Sequence, residues 1–220
     1  MNRYLLLKLM PAVSPGKHQL STIARLSGVG QTTLKELILE LSEQEVGQLT
    51  NSAVKFERDS RLKLAIVAIS LGCPAIDVSR LLDWRDFENF AAEILRRNDY
   101  DVETNLLIKR PRMQIDLVAR KGDFALCVDC KHWSRLVGPA RITEVALRQL
   151  RRTRTFVESY PALKLGISNA TTVVITLFEE SIIMCKGVPV VPVDKFQRFI
   201  TDLPAYVVEE SLVKRTRSLK

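Results

Sequence analysis

The stretch that most constrains this chain is Gln114 to Trp133, QIDLVARKGDFALCVDCKHW. Ile115 to Arg120 is apolar and β-branched, and Phe124 to Cys130 is again apolar. Lys121-Gly122-Asp123 lies between the two runs. That pattern predicts a β-hairpin. With Gly122-Asp123 as a two-residue turn, Lys121 faces Phe124, and counting back along both arms sets Asp116 opposite Asp129. Side chains alternate along a strand, so Asp129 and Lys131 share a face. Two carboxylates and a lysine then meet in one place. Core packing has no use for such a group. A hard divalent cation does, because it takes oxygen ligands and relieves the repulsion between the acids. A lone D-x-K is more often a solvent-facing pair, and it is the second acid in register that shifts the balance.

The chain has 220 residues, 46% of them hydrophobic, enough for one large domain or two small ones. No apolar run approaches the roughly 18 residues that a membrane span needs, and the N-terminal MNRYLLLKLMPAV does not read as a signal peptide. Membrane partnership is not expected. The formal net charge is +8, which favours a polyanionic partner, nucleic acid first. Residues 1–80 hold 10 Lys+Arg against 7 Asp+Glu, leaving 23 against 18 for residues 81–220, so both halves are basic. Cys127 and Cys130 have C-x-x-C spacing, a zinc or redox signature. Residues three apart on a strand point to opposite faces, however, and no second pair exists. Buried free thiols in a reducing cytoplasm are the expectation.

Residues 1–57 read as a small helical DNA-binding unit. Arg3 to Met10 predicts a helix ending before Pro11. Leu20, Ile23, Ala24 and Leu26 predict one helical face, Gly28-Val29-Gly30 a tight turn, and Leu34, Leu37, Ile38 and Leu41 a second helix. This is a helix-turn-helix pattern. Val46 to Phe56 predicts two short strands around Thr50-Asn51-Ser52, the wing of a winged helix. Gln31, Thr32, Thr33 and Lys35 would face the groove. Glu36, Glu40 and Glu43 on the same helix would repel phosphates, so a fold used only for protein contacts stays open. Residues 58–82 read as a helical connector, with one helix stopping at Gly72 and Pro74 opening the next.

Asp83 to Asn98 predicts a helix whose Phe87, Phe90, Ala91, Ile94 and Leu95 form a buried stripe. At about 100° per residue, Glu88 falls at the edge of that stripe and Glu93 on the far side. Glu88 is therefore the candidate site acid and Glu93 a solvated residue. Tyr100 to Ile108 predicts a strand, and Lys109-Arg110-Pro111-Arg112 a basic loop ahead of the hairpin. Pro139 to Tyr160 predicts a long helix with Arg141, Arg148 and Arg152 on one flank. That run is either a solvated face or a phosphate track. Gln149 sits near the edge of the helix's buried face. Trp133 would either stack on a base or pack at the rim. Leu165 to Ile167, Thr172 to Leu177 and Val188 to Val193 predict strands, and Phe178 to Lys186 a helix between the last two. That strand–helix–strand order favours parallel pairing. The basic tail KRTRSLK is expected to fray.

As a set, these pieces resemble the PD-(D/E)XK restriction-endonuclease-like core, and most of all the Mrr-type endonuclease domain, with Holliday-junction resolvases a second match. The residues that carry the likeness are Phe87-Glu88, Asn98-Asp99-Tyr100, Ile115-Asp116-Leu117-Val118-Ala119 and Val128-Asp129-Cys130-Lys131. Val173 to Thr176, Phe178 to Ser181 and Val188 to Asp194 resemble that domain's last elements. The departures are an Asp where the family more often has Glu or Gln (Asp129), and Lys-Arg-Pro-Arg in place of a glycine-rich loop before Asp116.

The resemblance implies an α/β fold, a mixed central sheet flanked by helices over residues 83–204, with a small winged-helix-like domain before it and a basic tail over 205–220. It implies Mg²⁺-dependent cleavage of DNA, with Mn²⁺ as a substitute. Asp116, Asp129 and Glu88 would hold metal, and Lys131 would act on the attacking water. Lys109, Arg110, Arg112, Arg141, Arg148 and Arg152 are candidate DNA contacts. Cores of this kind often work as homodimers, since cutting two strands needs two sites. The competing expectation is a non-catalytic DNA-binding regulator on a decayed nuclease scaffold, and RNA is the alternative substrate.

Overall fold

The computed structural model describes residues 2–206 and 212–216, without the side chains of 204–206. The chain divides into two compact units, Met1–Phe90 and Ala91–Lys220. Among the described residues no helix is long and apolar enough to cross a membrane.

The first unit opens with α1 (Arg3–Leu9), followed by a 3₁₀ turn at Met10–Ala12 and β1 (Gly16–Gln19). Then come α2 (Leu20–Ser27), α3 (Gln31–Ser42), β2 (Gln48–Thr50) and β3 (Ala53–Phe56). Gly28 ends α2 in the left-handed region at φ +64, which glycine adopts without penalty. Leu34, Leu37, Ile38 and Leu41 are all buried along α3, as their spacing requires. Leu26 is a correction: it is 58% exposed, and Ser27 takes the buried position, bonding back to the Ile23 carbonyl at 2.7 Å. The strand expectation for Val46 to Phe56 holds, and β1, which the pattern did not announce, completes a three-stranded antiparallel sheet in the order β1-β3-β2. α4 (Ser60–Ser70) and α5 (Ala75–Arg80) follow. Arg61 staples this unit together. It donates to the Val13 carbonyl at 2.9 and 2.7 Å and pairs with Asp86 at 3.3 Å. α6 (Trp84–Arg96) runs across the division, and Phe87, Phe90, Ala91, Ile94 and Leu95 are all buried as its stripe predicts.

In the second unit β4 (Asp101–Lys109), β5 (Arg112–Lys121) and β6 (Phe124–Lys131) form an antiparallel meander. α7 (Pro139–Val157) and the short α8 (Tyr160–Lys164) lead to β7 (Asn169–Thr176), which pairs parallel to β6. β8 (Met184–Cys185), β9 (Val188–Pro192), α9 (Val193–Tyr206) and β10 (Val213–Lys214) complete the chain. The result is a mixed sheet of seven strands, ordered β4-β5-β6-β7-β9-β8 with β10 also on β7, flanked by helices. β6 and β7 are buried almost throughout, as central strands covered on both faces must be. α7 supplies much of the core. Phe156 and Val157 pack with Ile115, Val118 and Cys127, and Ile142, Val145 and Ala146 pack with Val174, Val188 and Val190.

Three expectations fail here. Phe178 to Lys186 is not a helix. Lys186 and Gly187 have φ of +49 and +76, the backbone of a type I′ turn, so β8 folds back antiparallel on β9. The parallel pairing of β7 with β9 nonetheless holds. Leu165 to Ile167 is not a strand. Gly166 at φ +69 closes α8, with its N–H on the Leu163 carbonyl and that of Ile167 on the Ala162 carbonyl. The start of the tail is not frayed. Lys214 lies in β10, and Arg215 donates to the Val157 and Ile167 carbonyls at 2.9 and 2.6 Å. Residues 217–220 of that tail lie outside the described residues.

Candidate active site

The hairpin forms as the sequence requires. Lys121 pairs with Phe124 across a two-residue turn, and Gly122 takes φ +63. The β5–β6 ladder runs back to Leu117↔Val128 and stops there. The next position across is Asp116 and Asp129. From that point β5 stays paired to β4, through Lys109↔Arg112, while β6 stays paired to β7, through Lys131↔Thr176. The ladder therefore opens where the acids stand. Asn105, the residue opposite Asp116 on β4, is the one break in that register, and it takes φ +55. Irregular backbone of this kind is frequent beside active sites, where it re-aims side chains.

Asp116 and Asp129 are held differently. Asp116 is half-buried, and its Oδ2 accepts the Cys130 N–H at 2.9 Å. Burial raises its pKa above the ordinary carboxylate value, and the neighbouring charge of Asp129 raises it further. The Cys130 N–H, Lys131 and Arg152 oppose that rise in part. Asp129 is 1% exposed. Lys131 Nζ lies 2.5 Å from its Oδ2, an ion contact without an aligned hydrogen bond, and Arg152 Nη1 lies 3.2 Å from its Oδ1. Lys131 Nζ also donates to the Cys130 carbonyl at 3.3 Å. Alternation aims Cys127, Asp129 and Lys131 at the same side of the sheet. On that side Thr153 of α7 meets Cys127, and Arg152 meets Asp129.

This donor set fits a hard divalent cation. It presents two carboxylates and a backbone carbonyl, with an ammonium already drawn in among the oxygens. Among the described residues no group of three or more His, Cys, Asp or Glu is gathered. Magnesium tolerates such a short protein list, because it keeps several waters and binds through one or two carboxylates.

The other expected residues are placed as follows. Glu88 is half-buried on α6, in the first unit, while Glu93 is paired with Arg97 at 3.0 Å. Lys109, Arg110 and Arg112 are exposed at the β4–β5 turn. Gln31, Thr32, Thr33 and Lys35 are exposed at the start of α3. Arg141 and Arg148 both pair with Glu144, at 2.7 and 3.5 Å. Arg152 does not share in that cluster, since it turns inward to Asp129. Trp133 packs against the cluster of Ile142, Val174 and Val190, which favours the packing reading. Cys127 and Cys130 are buried thiols outside any disulfide.

Two more residues enter, Gln149, which the helix pattern sets near the edge of its buried face, and Glu180, which the pattern does not single out. Gln149 is 1% exposed, its Oε1 lies 3.5 Å from Arg152 Nη1, and its Nε2 has no partner among the described residues. Glu180 is 5% exposed and accepts the Val137 N–H at 3.2 Å, tying down the loop between β6 and α7. Both stand among other polar residues, Gln149 between Arg148 and Arg151 and Glu180 between Glu179 and Ser181, so the sequence carries little to set them apart from surface positions.

An uncharacterised protein of Archaeoglobus fulgidus is 28% identical over 128 residues, covering 57% of this chain and 95% of that protein. A solved protein of unknown function, AF1548, aligns at 15% identity over 49% of this chain and 57% of its own, with a TM-score of 0.36. The protein VC1899 from Vibrio cholerae aligns at 13% identity over 93% of this chain and 50% of its own, with a TM-score of 0.41. This chain thus spans about half the length of each solved chain. Residues 79–156, which hold α6, both acids of the hairpin and nearly all of α7, match the family model described as restriction endonuclease.

Proposed function

We propose that this protein is a metal-dependent endodeoxyribonuclease of the restriction-endonuclease type. One observation carries the reading: Asp116 and Asp129 lie just past the last paired position of the β5–β6 ladder, the first acid accepting the Cys130 N–H and the second 2.5 Å from Lys131. The match of residues 79–156 to a restriction endonuclease model supports it.

Asp116 and Asp129 would hold Mg²⁺, or Mn²⁺ in its place. When bound, such an ion lowers the pKa of water and neutralises the scissile phosphate. Lys131 holds the attacking water and offsets charge on the five-coordinate phosphorus. The Cys130 N–H keeps the Asp116 carboxylate turned toward the site. Lys109, Arg110, Arg112, Arg141 and Arg148 track the backbone of the duplex. The first unit docks the first turn of α3 in the major groove through Gln31, Thr32, Thr33 and Lys35, with the β2–β3 hairpin as a wing. Two copies act together to cut both strands.

A second reading, a DNA-binding regulator without turnover, is favoured by the two cations that already neutralise Asp129. Supercoiled plasmid incubated with Mg²⁺ or Mn²⁺ separates the two. The nuclease reading expects nicked and linear products from the wild type and none from Lys131→Ala or Asp116→Asn. Equal cleavage by all three would mark a contaminant. Retarded but intact plasmid with the wild type would select the regulator.

A further inference from the structure

Two cations compensate the single carboxylate of Asp129. Its side chain is 2% exposed, yet a separate cation holds each oxygen: Lys131 at Oδ2, 2.5 Å away, and Arg152 at Oδ1, 3.2 Å away. Asp116 and Asp129 together bring two negative charges when ionised. Lys131 and Arg152 bring two positive charges, so the group as it stands is neutral. A neutral group attracts a divalent cation far less than a doubly negative one.

The two cations differ in what ties them. Lys131 follows Asp129 on the same strand, and its Nζ is held between the Asp129 carboxylate and the Cys130 carbonyl. Arg152 reaches in from α7 on a long side chain that is 27% exposed. Its second contact is a long one, 3.5 Å to Gln149 Oε1. That amide is itself buried, and the outermost cation of the set rests against it. Arg152 is therefore the partner that can leave, and the oxygen it covers is one that a metal ion would use.

We propose that Arg152 is the resident counter-ion of this site: it occupies Asp129 Oδ1 until a divalent ion takes that oxygen, so the ion and the guanidinium exclude one another there. This rests on the reading of Asp116 and Asp129 as the metal-holding pair. Arg152 is then a positioning residue that keeps the buried acid compensated when no metal is bound. Once released, its planar fork of donors suits a phosphate oxygen of the DNA.

Isothermal titration of the full-length protein with Mn²⁺, without DNA, tests this apart from any cleavage. Arg152→Met should take up Mn²⁺ about tenfold more tightly than the wild type, because one positive charge has left the site. Arg152→Lys should stay near the wild type. Arg154→Met, an exposed change on the same helix, should leave affinity unaltered, and Asp129→Asn should abolish uptake. The wild type gives a second readout that needs no variant to fold: the Arg152 Nε–H resonance should move as Mg²⁺ saturates the protein. Mn²⁺ affinity in Arg152→Met equal to or below that of the wild type, or an unmoved resonance at saturation, overturns the counter-ion role while uptake lost in Asp129→Asn keeps the metal site. No uptake by either wild type or Arg152→Met overturns the metal site itself, and the counter-ion with it.

Discussion

Removing Lys131 should weaken the second unit by an amount that depends on Asp129 being there. Breaking a fully buried ion pair by deleting one partner costs about 3–5 kcal/mol, because the other charge is left uncompensated. Here the cost is smaller for two reasons. Arg152 remains on Oδ1, and the Lys131 side chain is 18% exposed. Lys131→Met should therefore lower unfolding free energy by about 1–2 kcal/mol. In an Asp129→Asn background the same change should cost almost nothing, giving a coupling energy of about 1–2 kcal/mol between the two residues. Urea unfolding at neutral pH in EDTA, followed through Trp133 in a Trp84→Phe background, reads the second unit, and Trp84 is exposed enough to replace. A coupling below about 0.3 kcal/mol would mean that the lysine is an ordinary solvated side chain, and the argument for a buried charge cluster would fail.

Three more outcomes follow from the same structure. Asp116 has a folded-state pKa above its unfolded value, so its contribution to stability is complete at acid pH and is lost as pH rises through the folded value. Asp116→Asn should thus raise the urea midpoint at pH 7, with the gain shrinking as pH falls toward 3.8, and a lower midpoint at pH 7 would contradict this. Gly47 has φ +80, and a Cβ there would meet Phe56 Cε1 at 2.7 Å, so Gly47→Ala should destabilise the first unit, read through Trp84 fluorescence. The cost should be about 2–4 kcal/mol from the left-handed backbone and the overpacked ring, and an unchanged midpoint would refute the packing. Cys127, pushed up to about 12 by burial, should stay unlabelled by iodoacetamide at pH 8 while half-buried Cys185 reacts, as peptide mass spectrometry would show.

What the sequence revealed was whatever local geometry decides. Gly122 sets the turn and period-two alternation sets the arms, and together they fix the register as far as Leu117 and Val128, one position short of the two acids. The stripes of α3 and α6 were legible for the same reason, since each needs only its own spacing. The losses came where distant contacts decide. Phe178 to Lys186 mixes polar and apolar residues and has no proline, so it reads as helix, but Lys186 in the left-handed region turns it into an edge hairpin. Arg215 is an unremarkable basic residue by pattern, yet two backbone carbonyls from other segments hold it. Arg152 sits among several arginines on one helical flank, and counting residues cannot say which one meets β6. Only the packing of α7 across the sheet singles it out.

The decisive point is whether Asp116 and Asp129 share a divalent ion. A crystal grown with Mn²⁺ and measured at the manganese edge answers this directly. The account predicts an anomalous peak about 2.0–2.3 Å from an oxygen of each carboxylate, with Arg152 withdrawn from Asp129. A crystal in which Asp129 remains clasped by Lys131 and Arg152, with manganese elsewhere or nowhere, would contradict it.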